Sequence, residues 1–159
     1  MTIRIICVGK IKESFFREGV SEYVKRLGRY AKIVITEVPD EKTPDGASTV
    51  ETEKILAKEG SRILAKIRDT DYVIALAIEG RSFSSEAFAA RLSELMKSGK
   101  SDFVFVIGGS LGLSRDVLRR ASECLSFSAF TFPHQLMRVI LCEQIYRAMR
   151  IINGEPYHK

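Results

Sequence analysis

Only two histidines, His134 and His158, occur among the 159 residues, and both fall in the last thirty, FTFPHQLMRVILCEQIYRAMRIINGEPYHK. His134 follows Pro133, which lacks an amide N–H and favours an extended Phe132. The ring therefore stands where a strand-like run gives way to a helix. There it can cap the helix, or it can work as a proton acceptor. Arg138 lies four residues on, one helical turn away and on the same side. Imidazole and guanidinium side by side suit an anionic substrate such as nucleic acid, and the cation would keep the imidazole neutral by lowering its pKa. At the far end, Tyr157 and His158 form a short tail whose rings can stack on or hydrogen-bond to a base.

A second group of residues offers backbone instead of side chains. Gly108-Gly109-Ser110-Leu111-Gly112-Leu113 follows the apolar run FVFVI. Glycine lets a ligand approach main-chain amides closely. The spacing is neither GxGxxG after a first strand nor GxxxxGK[ST], so a dinucleotide fold and a P-loop are disfavoured. A tight strand-to-helix turn and a ligand loop both fit it. Glu79-Gly80-Arg81 follows the apolar run YVIALAI. One carboxylate there can bind a ribose hydroxyl or an amine, or can be an exposed turn residue, and the second reading is favoured.

The elements that must carry these residues alternate. Ile3–Val8, Lys32–Val38, Tyr72–Ile78, Phe103–Ile107 and Leu125–Phe132 read as strands. Apolar stripes at helical spacing lie between them and after the last. Ser48 with Glu51 forms a capping box. Ser84 and Ser114 are N-cap candidates, Gly80 closes the third strand, and the last helix spans about 135–152. Five β-α units without a linker or repeat predict one α/β domain over 1–159, a mostly parallel sheet with helices on both faces. Ligands of such sheets bind beyond the carboxyl ends of the strands. The unusual ends here are Ala77–Gly80, Gly108–Leu113 and Phe132–His134. The last helix has a surplus of apolar residues, with Leu136, Val139 and Ile140 beside the stripe from Met137 to Ile152. That surplus predicts a second copy of the chain as partner.

Charge and composition narrow the class. The chain carries a net charge of +5, which favours polyanionic partners. No apolar run is long enough to span a membrane, and the N-terminus lacks a signal-peptide pattern, so a cytoplasmic location is expected. Cys7, Cys124 and Cys142 are odd in number and widely spaced. They read as reduced, buried thiols, with neither a disulfide framework nor a metal site.

Three segments, FVFVIGGSLGL, LSFSAFTFPHQLMRVILCEQIYRA and NGEPYHK, together resemble the bacterial 23S rRNA pseudouridine-N3 methyltransferases, small S-adenosylmethionine (SAM)-dependent members of the SPOUT class. The resemblance runs the length of the chain. It implies a deep trefoil knot at the C-terminal side of the sheet, which general topology rules would not predict. It implies SAM held largely by backbone, at Leu76, Gly108, Phe127, Ser128, Ala129, Phe130, Thr131 and Phe132. It also implies a homodimer built on the last helix, and 23S rRNA in the ribosome as substrate. The N3 proton of pseudouridine must leave before that nitrogen attacks a methyl group, and the charge then spreads over two carbonyl oxygens. His134 is the candidate base, with His158 its rival. Arg138 is the candidate charge stabiliser, and Tyr157 with His158 the base-contacting tail. No metal is required. A tRNA methyltransferase and a non-catalytic ribosome-binding module are the competing readings, and the latter leaves the glycine loop unexplained.

Overall fold

The computed structural model describes residues 1–158. Ten elements alternate: β1 Thr2–Val8, α1 Ser14–Leu27, β2 Lys32–Val38, α2 Thr49–Leu64, β3 Tyr72–Ser82, α3 Ser85–Lys97, β4 Asp102–Ile107, α4 Arg115–Arg120, β5 Glu123–Ser126 and α5 His134–Ile152. The strands form one sheet in the order β2-β1-β4-β3-β5, with every pairing parallel. Alternation along each strand assigns its side chains to two layers. Ile3, Ile5, Cys7, Phe103 and Phe105 face α1, α3 and α5, whereas Ile6, Val8, Val104 and Val106 face α2 and α4. The expected parallel sheet with helices on both faces is therefore present.

Local chemistry sets the helix starts. Ser48 and Glu51 cap α2 reciprocally, and the Ser84 and Ser114 hydroxyls accept from the Ala87 and Val117 amides. Gly99 follows α3 at φ +89°, a left-handed backbone that other residues resist.

Two expectations about strand ends need correction. Gly80 does not end β3. The strand pairs with Leu125 first through Leu76 and again through Arg81, so residues 77–80 bulge out and the strand resumes to Ser82. A Cβ on Gly80 would lie 2.7 Å from the Leu125 carbonyl carbon, so only glycine lets the bulge close back on β5. Conversely, Leu125–Phe132 is not a strand throughout. β5 stops at Ser126, and residues 127–133 run without regular structure into α5. The Ser126 hydroxyl donates to the Ser128 carbonyl, and the Ser128 hydroxyl accepts from the Phe130 amide. Such local side-chain bonds compete with a ladder.

α5 lies between α1 and α3. Leu141, Cys142, Ile145, Ala148 and Met149 are buried, and Val139 packs against Gly19, where a Cβ would meet its methyl at 3.3 Å. Part of the apolar surplus on α5 is thus used within the chain. Leu136, Val139 and Ile140 remain half-buried. Cys7 and Cys142 are buried and Cys124 half-buried, all as free thiols.

Candidate active site

The three strand ends singled out in the sequence converge on one cleft of about 680 Å³. The β3 bulge supplies Leu76 to Glu79, the turn after β4 supplies Gly108 to Leu113, and the segment after β5 supplies Phe127, Ser128 and Phe130 to Phe132, with His134 and Met137 of α5 at one side. The volume lies within the range of small-molecule sites, roughly 300–1,000 Å³. Of the residues expected at the cofactor, only Ala129 is absent from the lining; it is exposed. Phe130 also lines the cleft but keeps 79% of its surface exposed.

The glycine turn explains itself sterically. Gly112 donates to the Gly109 carbonyl at 3.1 Å, and Gly112 takes φ +85°. In a turn closed by that bond, the two central amides, Ser110 and Leu111, take no part in it. A Cβ on Gly108 would collide with the Gly112 carbonyl. The loop can therefore fold this tightly only with glycine at Gly108, and it presents main chain to the cleft.

His134 also lines a second cleft of about 420 Å³ at the ends of β1 and β2, beside Lys10, Lys12 and Asp40. Burial lowers the His134 pKa from its usual value, Arg138 lowers it further, and Asp40 opposes them. Both effects favour the neutral ring, which can accept a proton; burial leads, and Arg138 adds to it in the direction its spacing predicted.

Arg138 itself lines neither cleft. It is 1% exposed. Nη1 donates to Glu37 Oε1 at 2.9 Å, and Nη2 donates to the Val8 and Gly9 carbonyls at 3.1 and 2.7 Å. The role expected for it as a charge stabiliser in contact with the substrate is corrected: Arg138 clamps the end of β1 and β2 to α5. The reason is helical phase. Leu141, Cys142 and Ile145 follow it at three, four and seven residues, so Arg138 lies on the buried stripe.

The tail sits elsewhere. The Tyr157 ring packs edge-on against Tyr146 at 5.0 Å, its hydroxyl donates to Glu143 at 3.2 Å, and the Arg147 guanidinium lies 4.7 Å from its centroid. Burial, first among the causes, pushes the Tyr157 hydroxyl up to about 12. His158 lies 2.7 Å from Glu86 and 3.3 Å from Arg147. Arg147 is thirteen residues past His134, about 20 Å along the helix at 1.5 Å per residue. Within one chain the two histidines are not brought together.

Glu59 was missed. This α2 carboxylate is 4% exposed, behind Gly109. Its phase was the available signal, because it falls four residues from both Ile55 and Ile63 on the buried stripe.

Among the described residues no cluster could hold a metal ion, and no helix is long and apolar enough to cross a membrane. A parallel sheet with helices on both faces and a cleft at the carboxyl ends of its strands places the chain in the class of open α/β proteins, whose ligands bind at that edge. The particular family follows from comparison. The model of the family described as "Predicted SPOUT methyltransferase" matches residues 1–158, and the chain belongs to that family. It is 60% identical over 159 residues, the whole of both chains, to "Ribosomal RNA large subunit methyltransferase H" of Limosilactobacillus reuteri (strain DSM 20016). It is 58% identical, again over the whole of both, to the protein of that name in Streptococcus thermophilus (strain CNRZ 1066). Among solved structures, a probable methylase family protein from Haemophilus influenzae Rd KW20 shares the fold, with a TM-score of 0.54 at 15% identity, covering 99% of this chain and 70% of that one.

Proposed function

We propose that this chain methylates N3 of a pseudouridine in a stem-loop of 23S rRNA, using SAM, on the assembled ribosome in the cytoplasm. The observation that carries the reading is the convergence of three strand ends on one cleft with the imidazole of His134 at its side. The full-length similarity to proteins named as large-subunit rRNA methyltransferases supports the substrate.

The cleft fits SAM on its own terms. The missing Cβ at Gly108 lets the turn close tightly on Gly112, and residues 108–113 of that turn line the cleft. Leu76, Phe127 and Phe132 supply apolar walls, and Ser128 and Thr131 supply hydroxyls. Bound there, SAM supplies a methyl group on a positively charged sulfur, which makes it electrophilic.

His134 accepts the N3 proton of the target base, and its lowered pKa holds it ready as neutral imidazole. General-base help of this kind is worth about 10²–10⁴-fold. Arg138 sets the position of His134 by fixing the first turn of α5. The passage of residues 127–133 past the cleft into α5 is read as the knot that the family fold implies.

The chain acts as a homodimer through α5. The half-buried Leu136, Val139 and Ile140 supply the seam. Tyr157 and His158, remote from His134 in their own chain, then contact the target base bound by the partner. Lys10 and Lys12 beside His134 favour a polyanionic substrate approaching from that side.

The test is methyl transfer from radiolabelled SAM to intact ribosomes, free 23S rRNA and tRNA in parallel. Labelling confined to the large-subunit RNA of intact ribosomes is expected. Preferential labelling of tRNA, or SAM binding without transfer to any RNA, would overturn the substrate assignment.

A further inference from the structure

The glycine turn has a front and a back, and the proposed catalytic machinery uses only the front. Behind Gly109 stands the buried side chain of Glu59. A Cβ built on Gly109 would lie 3.0 Å from Glu59 Oε2 and 3.1 Å from a Val8 methyl, so the carboxyl stands directly behind the turn and leaves no room there for a side chain. The next residue of α2, Gly60, packs in the same close way against Ser114 at the other end of the loop. Consecutive residues of one helix thus support both ends of the 108–114 segment.

Glu59 Oε2 is buried without a hydrogen-bond partner among the described residues. An ionised carboxylate in that position lacks donors, which is costly. The glycine turn stands beside it at Gly109. Its central amides are not consumed by the turn's own hydrogen bond, and they can serve either the cleft or a charged carboxylate behind it. An uncharged carboxyl makes no such demand.

We propose that Glu59 is a positioning residue for cofactor binding: its uncharged carboxyl braces Gly109 from behind, and its ionised form draws the turn's amides away from the cleft. The inference rests on the reading of the cleft as the SAM site. The charges around Glu59 set where the change falls. Burial is the main cause that pushes its carboxyl up to about 7, Asp40 and Glu41 from the segment after β2 reinforce it, and Arg62 on α2 opposes them. Glu41 is itself engaged by Lys58 at 3.3 Å and Arg62 at 3.5 Å. Val8 of β1 and the turn contribute no ionisable group, and His134 enters only through Asp40.

The sign follows. If the turn binds cofactor with Glu59 protonated, binding holds that proton, and affinity weakens as pH rises through about 7. The Glu59→Gln variant keeps the shape without the charge. It should bind SAM as the wild type does at pH 6. If the ionised form excludes the cofactor, the wild-type Kd should exceed the variant's roughly tenfold at pH 8, the expected ratio one pH unit above the carboxyl's midpoint.

The experiment is calorimetric titration of SAM into the intact wild-type and Glu59→Gln proteins from pH 6 to 8. The ratio of the two Kd values is the readout, because titration of the amino group of SAM cancels in it. A ratio near one at pH 6 that climbs toward ten supports the proposal. A ratio constant across the range overturns it and leaves Glu59 a packing residue. Absence of SAM binding by either protein at every pH overturns the cofactor reading, and the proposal with it. Should the variant not fold, infrared spectra of the wild-type SAM complex decide. A carbonyl stretch of a protonated carboxyl at pH 7.5 that disappears on alkaline titration supports the proposal, and its absence overturns it.

Discussion

Replacing Arg138 by Met removes a buried cation and the clamp it forms while keeping most of the volume. Three hydrogen bonds are lost, to Glu37 and to the carbonyls of Val8 and Gly9. Hydrogen bonds to a charged group are worth about 1.5–3 kcal/mol each, but they are not additive, and removing one partner of a buried ion pair typically costs about 3–5 kcal/mol. In a chain of this size each kcal/mol moves the Tm by about 2–4 °C, so a fall of about 10 °C is expected. Arg138→Lys should lie between the two, because it keeps a charge but cannot donate to three acceptors as a planar fork. In a double-mutant cycle, Glu37→Gln should cost much less in the Arg138→Met background than alone. Single-turnover methyl transfer, measured at a temperature where the variant is folded, should stay within about tenfold of wild type, below the effect of losing a group in contact with the reacting atoms, because Arg138 is buried and lines neither cleft. Its acid limb should also move to higher pH, since the arginine no longer depresses His134. The reasoning is refuted if Arg138→Met keeps the wild-type Tm within about 2 °C and loses more than a hundredfold in rate, amounts outside those ranges.

Three further outcomes follow from the same geometry. Gly108→Ala forces a methyl group into the Gly112 carbonyl, so SAM binding measured by calorimetry should weaken at least a hundredfold, while Gly46→Ala, strained by its φ of +70° but on an exposed loop outside the cleft, should cost some stability and leave SAM binding unchanged. His134→Ala should lower the single-turnover rate by about 10²–10⁴-fold, and the wild-type rate should rise with pH to a plateau whose midpoint lies below the usual histidine value, because burial and Arg138 both favour the neutral ring. For Glu59, folding raises the carboxyl pKa from 4.5 to about 7, so its contribution to stability is whole below pH 4.5 and is lost as pH rises through about 7. Urea denaturation should find Glu59→Gln more stable than wild type at pH 8, by at most about 3 kcal/mol, with the difference vanishing at pH 4.

Much of this fold can be read along the chain because each strand and helix declares its own period. The all-apolar YVIALAI and FVFVI runs mark strands covered on both faces, and Ser48, Ser84 and Ser114 mark helix starts through bonds made within four residues. The three strand ends around the cleft are legible for the same reason. What escaped depends on contacts between segments distant in sequence. The β3 bulge exists because Leu125 of β5 pairs twice, and nothing within β3 specifies that partner. The run after Ser126 alternates like a strand, yet no neighbouring strand remains beyond it to pair with. Arg138 and Glu59 were misjudged or passed over because charged residues are expected at the surface. Their helical phase placed them inside, and phase outweighed polarity in both cases. The remoteness of His158 from His134 follows from a tail that turns back along α5, held by Tyr146, Glu143 and Glu86.

The account stands most directly on where the methyl group goes. The decisive measurement is mass-spectrometric mapping of 23S rRNA after a single turnover with labelled SAM, on ribosomes that carry the target pseudouridine and on ribosomes with uridine at that position. The account predicts one methyl group, on N3 of one pseudouridine, formed by the wild type and lost with Gly108→Ala. A methyl group on another atom or another RNA, or equal transfer by the Gly108→Ala enzyme, would contradict it.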